Sequence, residues 1–142
     1  MIQKWKKLKK NEKGLTLIEL LAVLVILGII AAIAIPLIGN VINNSKDRAI
    51  LADASNIIAG AKLAHANGGN PPFGPDDLKG FVDGIDLNSF TDNTLQVKYD
   101  STNGWSILFS KFANIKDKNI QDEIGDDNEI DEKTLNKLLR KE

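Results

Sequence analysis

The feature that most constrains this chain is a run of uncharged residues near its N-terminus. From Leu20 to Gly39 the sequence reads LLAVLVILGIIAAIAIPLIG, twenty residues without a charged side chain. At about 1.5 Å per residue, a helix of this length spans the roughly 30 Å hydrocarbon core of a bilayer. A helix that is apolar on every face could otherwise be buried only in a larger protein than the rest of the 142 residues supplies. The run therefore predicts a single membrane-spanning helix.

Charged residues are distributed unevenly around this apolar run. The chain holds 18 basic and 19 acidic side chains, but residues 1–14 contain six lysines and one glutamate, a net charge of +5 against −6 for the remainder. Positive charge beside a span is retained in the cytoplasm, so we expect the N-terminus inside and the C-terminal part outside. Because the basic surplus is confined to a short tail, we expect no direct nucleic-acid binding.

Three residues are unusual for an inert membrane anchor. Glu19 adjoins the apolar run, where an unpaired carboxylate costs roughly 2.5 to 3.5 kcal/mol if it lies deep. A specific cationic partner is therefore one interpretation of Glu19, and hydration near the lipid headgroups is the other. Pro36 removes a backbone donor, and Gly28 adds a second weak point, so we expect the helix to kink near them.

A conventional signal peptide is an alternative interpretation of the same region. Ala32, Ile33 and Ala34 fit the small-x-small cleavage pattern, which would leave a chain starting at Ile35. The apolar region would then run from residue 15 to residue 31, which is longer than the usual 7 to 15 residues and includes a glutamate. Both properties disfavour this alternative.

The stretch from Lys13 to Pro36, KGLTLIELLAVLVILGIIAAIAIP, closely resembles the N-terminal signature of type IV pilins and of the related secretion and competence pseudopilins. That family has a short basic leader ending in glycine, a cleavage before a hydrophobic residue, a glutamate at the fifth mature position and a proline at the far end of the apolar run. Gly14, Leu15, Glu19 and Pro36 occupy those positions, although most members have phenylalanine where this chain has Leu15.

The resemblance implies that a prepilin peptidase cuts between Gly14 and Leu15 and methylates the new amine of Leu15. It implies a structural subunit, a prepilin, that starts in the cytoplasmic membrane as a single-pass protein surrounded by lipid and then polymerises into a helical pilus for adhesion or motility. The implied partners are other copies or related subunits, the peptidase, an assembly ATPase and a platform membrane protein. Cleavage creates a cation at Leu15 that Glu19 of a neighbouring subunit would attract strongly in a low-dielectric setting.

Two other functions stay open. A pseudopilin of a type II secretion or competence DNA-uptake system shares the same signature and would build a short pseudopilus. Outside the family, a monomeric membrane-tethered domain that binds a ligand also fits a single span followed by a small domain.

Beyond Pro36 the pattern becomes that of an amphipathic helix. An apolar stripe at spacings of 4, 3, 4 and 3 consists of Ile50, Ala54, Ile57, Ala61 and Ala64, while Lys46, Asp47, Arg48 and Lys62 are expected on other faces. Asn67, Gly68 and Gly69 end the pattern. A continuous helix over residues 15–66 would be about 78 Å long, which suits a subunit with a membrane or filament half and a headpiece half.

Residues 67–142 are expected to cover the apolar stripe. A turn-rich loop over residues 67–90, with a short helix starting at Asp76 or Asp77, would pack Phe73, Leu78, Phe81 and Phe90 on the helix. A hairpin turning at residues 100–104 follows, in which alternate residues form one buried face: Leu95, Val97, Tyr99, Trp105, Ile107 and Phe109. We interpret these aromatic residues as core, although aromatic surfaces also bind sugars or nucleic acids.

The C-terminal part contains an acidic segment, residues 122–132, before a helix starting at about Asp131 with Leu135, Leu138 and Leu139 on one side. Its carboxylates are weak calcium ligand candidates: Asp122, Asp126, Asp127 and Asp131. An EF-hand loop starting at Asp117 would need glycine where Asp122 stands. We therefore interpret the segment as a solvated loop and expect no cofactor.

The composition excludes several kinds of site. The chain has no cysteine and one histidine, His65, so disulfides, thiolate metal sites and His-rich metal sites are excluded. The sequence contains no nucleophile or phosphate-binding motif, and we expect no enzymatic activity.

The predicted fold is α+β, with a long N-terminal helix packed on a small antiparallel sheet of three or four strands, which is also the pilin fold. The predicted segments are a cytoplasmic leader that is removed (1–14), a transmembrane and filament-core helix (15–39), an amphipathic headpiece helix (40–66) and the rest of the headpiece (67–142).

Overall fold

One long helix, α1, occupies the first part of the chain, from Ile2 to Ala66. The structure, a computed structural model, describes the backbone of residues 2–140 and the side chains of residues 16–140. α1 ends before Asn67 and Gly68, and Gly68 adopts the positive φ of +100° that favours glycine after a helix. The predicted end of the helix is therefore confirmed, whereas its start lies thirteen residues before the predicted Leu15.

Internal contacts divide the chain into two units, Met1–Val41 and Ile42–Glu142. The first unit contributes only α1 to the described residues. The second unit, hereafter the headpiece, contains the remainder of α1 and all later elements. The sequence placed the corresponding boundary between residues 39 and 40, two residues earlier.

The headpiece after α1 is built from short helices and a small sheet. Its elements are α2 (Pro75–Leu78), a 3-10 helix (Leu87–Ser89), β1 (Leu95–Asp100), β2 (Gly104–Phe109), a second 3-10 helix (Ser110–Asn114), α3 (Lys118–Ile124), β3 (Glu129–Asp131) and α4 (Glu132–Arg140). The strands form an antiparallel sheet in the order β1-β2-β3. This arrangement confirms the predicted α+β fold and the predicted hairpin, in which Val97 pairs with Ile107.

The core lies between one face of α1 and this sheet. The predicted stripe of α1 is buried from Ala54 onward, and Ile50 is partly buried. On the hairpin the inner side chains are fully buried: Leu95, Val97, Ile107 and Phe109. Leu135 and Leu138 of α4 are also buried, and Phe73 and Leu78 cover the helix from the loop as predicted, with Phe81 and Phe90 partly buried beside them.

The loop interpretation of residues 122–132 is wrong in part. The last turn of α3 and the whole of β3 fall inside this segment. Ile124 and Ile130 are 6% and 4% exposed, and β3 pairs with β2 through Ile107 and Ile130. Two apolar side chains in an acidic segment are enough to bring it onto the core, because burying each one stabilises the fold by about 1.5 to 3 kcal/mol.

Gly60 allows α1 to approach the loop after α2 closely. A Cβ at Gly60 would lie 2.9 Å from the carbonyl oxygen of Phe81 and would overlap Cγ2 of Val82. Alanine favours a helix over glycine by about 1 kcal/mol, but overpacking costs about 1 to 3 kcal/mol. We expect Gly60→Ala to lower the free energy of unfolding of the headpiece by about 1 kcal/mol, and by no more than about 2 kcal/mol, in chemical denaturation.

The matched control for this substitution is Gly39→Ala in the same helix. A Cβ at Gly39 meets nothing within 4 Å, so this variant gains the helix preference of alanine without overpacking and should be at least as stable as the parent. Equal stability of Gly60→Ala and Gly39→Ala would show that the approach at Gly60 is not tight.

Candidate functional site

The main surface feature of the first unit is its uncovered apolar side chains. Every large apolar residue from Leu17 to Ile42 is at least 47% exposed. These side chains form the exposed apolar surface, which consists of Leu17, Ile18, Leu20, Leu21, Val23, Leu24, Val25, Ile26, Leu27, Ile29, Ile30, Ile33, Ile35, Leu37, Ile38, Val41 and Ile42. Soluble monomers rarely leave a contiguous apolar patch larger than a few hundred Å² uncovered. This surface therefore has to be covered by lipid or by other protein chains.

The length and hydropathy of α1 agree with this requirement. Among the described residues, one helix is long and apolar enough to cross a membrane, Thr16–Ala66, with a mean hydropathy of 3.1 in its most apolar window. None of that window is buried against the rest of the protein. A core helix of a soluble protein passes the same length test, but it would be mostly buried.

Glu19 is the one charged side chain within the exposed apolar surface. It lies between Ile18 and Leu20 on α1 and is exposed. It makes no hydrogen bond or ion pair with another residue in the described part of the chain. A carboxylate placed among apolar side chains is expensive to bury alone, so burial of this surface favours a cationic partner for Glu19.

Gly14 and Leu15, the predicted cleavage and methylation site, lie outside the residues whose side chains the structure describes. In sequence, Leu15 precedes Glu19 by four residues, or about one turn of an α-helix. Gly28 and Pro36 lie inside α1, and the helix continues past both of them to Ala66. The kink expected near them stays a prediction.

The comparisons with known proteins concern this same stretch. Residues 9–35 match the family model described as the prokaryotic N-terminal methylation motif. No curated protein and no solved structure matches the chain. The described helix is long and apolar enough to cross a membrane, and the matched motif is the type IV pilin and pseudopilin signature.

The signature points to a precursor of a structural subunit, of the kind that a prepilin peptidase processes and that polymerises into filaments. An apolar N-terminal helix fits a subunit that is first anchored in a membrane.

The calcium candidates do not converge. Asp122 lies on α3, Asp126 and Asp127 lie in the turn after it, and Asp131 ends β3, where it accepts a hydrogen bond from Thr134 Oγ1. Within residues 16–140, no three acidic or histidine side chains form a group that could hold a metal ion.

Asp122 lines a surface cavity of about 520 Å³ beside α3, and the other acids around that cavity have partners of their own. Asp117 caps α3 by accepting a hydrogen bond from the Asn119 backbone N–H, and Glu123 is paired with Lys137 at 3.7 Å. We therefore expect the melting temperature of the headpiece to be the same in calcium as in chelator. A rise in calcium that magnesium does not reproduce would contradict this expectation.

Asp47 is a structural residue that sequence reasoning missed, because it was expected on an outer face of α1. It is 2% exposed, and its two carboxylate oxygens accept hydrogen bonds from the backbone N–H groups of Lys116 and Asp117, each at 3.0 Å. The contact joins α1 to the segment between the second 3-10 helix and α3. The sequence does contain a sign that Asp47 is buried: residues 47, 51, 54, 58 and 61 repeat at spacings of 4, 3, 4 and 3, which places residue 47 on the buried face of α1.

Proposed function

We propose that the chain is the structural subunit of a type IV pilus. It is cut between Gly14 and Leu15, methylated on the amine of Leu15 and polymerised into a helical filament for adhesion or motility. The observation that carries the proposal is the exposed apolar surface with Glu19 near its N-terminal end. An assembly ATPase and a platform membrane protein would extract the subunit from the membrane and add it to the filament.

The exposed apolar surface suits two environments in turn. In a membrane, a helix satisfies its own backbone hydrogen bonds and presents apolar side chains to lipid. In a filament, the same side chains pack against the same helix of other subunits, much as helices associate inside bilayers. Transfer from one environment to the other therefore exposes little apolar area to water, and the subunit can leave the lipid without a large free-energy cost.

The headpiece half of α1 supports packing between subunits. One exposed face of it is free of charge, although Lys46, Arg48 and Lys62 are exposed beside that face. This face, hereafter the uncharged stripe, consists of Ser45, Ala49, Ala52, Asn56, Ala59, Leu63 and Ala66. Small side chains allow another helix to approach closely. A contact between different faces of identical chains gives an open fibre when its rotation does not close a ring, and the proposed filament requires this geometry.

The topology proposed for the precursor follows from the lysines. Six of them precede Leu15, so the N-terminus would stay in the cytoplasm and the headpiece would be exported. Removal of residues 1–14 would take this +5 charge away and leave a subunit of net charge −6.

A pseudopilin of a secretion or DNA-uptake system is the second candidate, because the methylation motif is common to both kinds of subunit. Electron microscopy of sheared surface material, labelled with an antibody to the headpiece, distinguishes the two. Long labelled fibres are expected for a pilus. Label that stays with the cell envelope, with no sheared fibres, would favour the pseudopilin, and a monomer in the membrane would favour the tethered domain.

A further inference from the structure

A group of aromatic rings lies at the surface where α1 ends beside the hairpin. The ring of His65 lies 6.2 Å from that of Tyr99 and 5.7 Å from that of Trp105, between centroids, and the rings of Tyr99 and Trp105 are 5.1 Å apart. These three side chains are called the aromatic platform below. Phe73 stacks on Trp105 at 6.3 Å with an interplanar angle of 15°, and its own side chain is buried.

The platform differs from the buried face that the alternation of β1 and β2 predicts. Val97 and Ile107 are fully buried, but Tyr99, two residues further along β1, is 48% exposed. His65 is also exposed, and Trp105 is half-buried. The interpretation of the hairpin aromatics as core is therefore wrong for Tyr99 and correct only in part for Trp105. Both residues lie beside the hairpin turn, where the last turn of α1 presents the exposed His65 to them.

Each ring of the platform has a polar atom available at its edge. Nδ1 of His65 donates to the carbonyl oxygen of Gly69 at 3.0 Å, so in the neutral ring Nε2 is an acceptor. In the described residues, the Tyr99 hydroxyl and the Trp105 indole N–H have no hydrogen-bond partner. The indole N–H is accessible, because the described part of the chain leaves no buried polar side-chain atom unsatisfied. The platform thus offers a donor, an acceptor and a hydroxyl that can do both.

The two lysines nearest to the platform in sequence, Lys62 and Lys98, are both paired with glutamates and give it no free positive charge. Lys62 is paired with Glu132, and Lys98 is paired with Glu129 at 3.2 Å. Nucleic-acid sites combine stacking rings with unpaired cations along the phosphate backbone. A ligand that fits this platform is instead uncharged where it touches the rings and has groups that both donate and accept hydrogen bonds.

We propose that the aromatic platform is a carbohydrate-binding site that takes a pyranose ring. The C–H groups on one face of a pyranose carry partial positive charge and are attracted to the negative faces of aromatic rings. Its hydroxyls both donate and accept, which matches the mixed polar atoms of His65, Tyr99 and Trp105. Stacking of Trp105 on the buried Phe73 fixes the rings in advance, so little conformational entropy is lost on binding.

This site goes beyond assembly of a filament, and its position keeps it available. His65 is 23 residues along α1 from Ile42, the first residue of the headpiece, or about 35 Å in a helix. The site would therefore lie at the C-terminal end of α1 and would be usable by the unassembled precursor.

The test uses the full chain in a sugar-free zwitterionic detergent, because alkyl glycosides would compete for the site. The protein is applied to an array of defined neutral and anionic saccharides, and the strongest binder is titrated by calorimetry. We expect Tyr99→Ala to weaken binding roughly tenfold and Tyr99→Phe to weaken it less, since phenylalanine keeps the ring and loses the hydroxyl. Trp105→Phe should also weaken binding, because it removes the indole donor.

Two controls separate binding from folding and from charge. Leu63→Ala removes an exposed apolar side chain of the same helix outside the platform and should bind the saccharide as the parent does. Melting temperatures of the Tyr99 variants should stay close to that of the parent, because this side chain is half exposed. Binding should be nearly independent of salt, whereas binding of a single-stranded DNA oligonucleotide to a cationic site would fall steeply with salt.

The proposal is overturned if no saccharide on the array binds, or if folded Tyr99→Ala and Trp105→Phe bind as tightly as Leu63→Ala. Salt-sensitive binding of the DNA oligonucleotide that Tyr99→Ala abolishes, without saccharide binding, would replace it with a nucleic-acid site.

Discussion

Replacing Glu19 with alanine is expected to leave the chain cut, methylated and membrane-bound, and to lower the yield of filaments about tenfold or more. When the exposed apolar surface is buried between subunits, Glu19 enters a setting of low dielectric constant. There a charge pair is worth several kcal/mol, whereas the same pair in water is worth about 1 kcal/mol. In the proposed filament, removing the carboxylate would leave the methylated amine of a neighbouring subunit without its partner, and an unpaired buried charge is costly.

The measurement compares filaments in sheared fractions with the total amount of mature chain, which mass spectrometry identifies. Glu19→Gln keeps the shape without the charge and should fail as Glu19→Ala does, while Glu19→Asp should retain part of the assembly. Asp53→Ala in the headpiece half of α1 also removes one carboxylate and should assemble normally. Wild-type filament yield from processed Glu19→Ala would contradict the assembly role of Glu19.

The second large effect is expected at Asp47, and it concerns the stability of the headpiece. Both carboxylate oxygens accept backbone N–H groups in a site that is 2% exposed, and hydrogen bonds to a charged group contribute about 1.5 to 3 kcal/mol each. Asp47→Ala removes both and leaves the N–H groups of Lys116 and Asp117 without their acceptor. We expect a loss of about 3 kcal/mol, which lowers the melting temperature of a domain of this size by roughly 10 to 20 °C.

Asp47→Asn should lose part of this stability, because its amide has one acceptor oxygen for two donors and turns an N–H₂ group toward the other. Asp53→Ala again serves as the control, since Asp53 is partly exposed and substitutions at such positions usually change stability by less than about 0.5 kcal/mol. The melting temperatures of all three variants are measured by circular dichroism at 222 nm, because the signal at this wavelength reports helix content. If Asp47→Ala melts at the same temperature as Asp53→Ala, the two backbone hydrogen bonds contribute little to the stability of the headpiece.

Elements with a strong hydrophobic period could be predicted from the sequence. α1 ends at Ala66 because the 3.6-residue stripe ends there and two glycines follow, and the hairpin follows from alternation on either side of a turn. The methylation motif also lies in consecutive residues, so the match over residues 9–35 needed no tertiary information.

The features that the sequence did not reveal depend on contacts between distant segments. β3 has three residues and is defined by pairing with β2, which is separated from it by α3 and a 3-10 helix. The helical spacing of residue 47 indicates that Asp47 faces the core, but its two backbone donors lie about seventy residues away, and no local pattern reports them. The aromatic platform arises because His65 at the end of α1 meets the turn end of the hairpin.

The most direct test of the central claim is the mass of the mature N-terminus. The full-length protein is expressed with a cognate prepilin peptidase, purified from membranes and digested, and its N-terminal peptide is sequenced by tandem mass spectrometry. A chain that begins at N-methyl-Leu15 is the predicted result. A chain that retains Met1 would support a membrane-tethered monomer, one that begins at Ile35 would support an ordinary secreted protein, and either would contradict the account of a processed filament subunit.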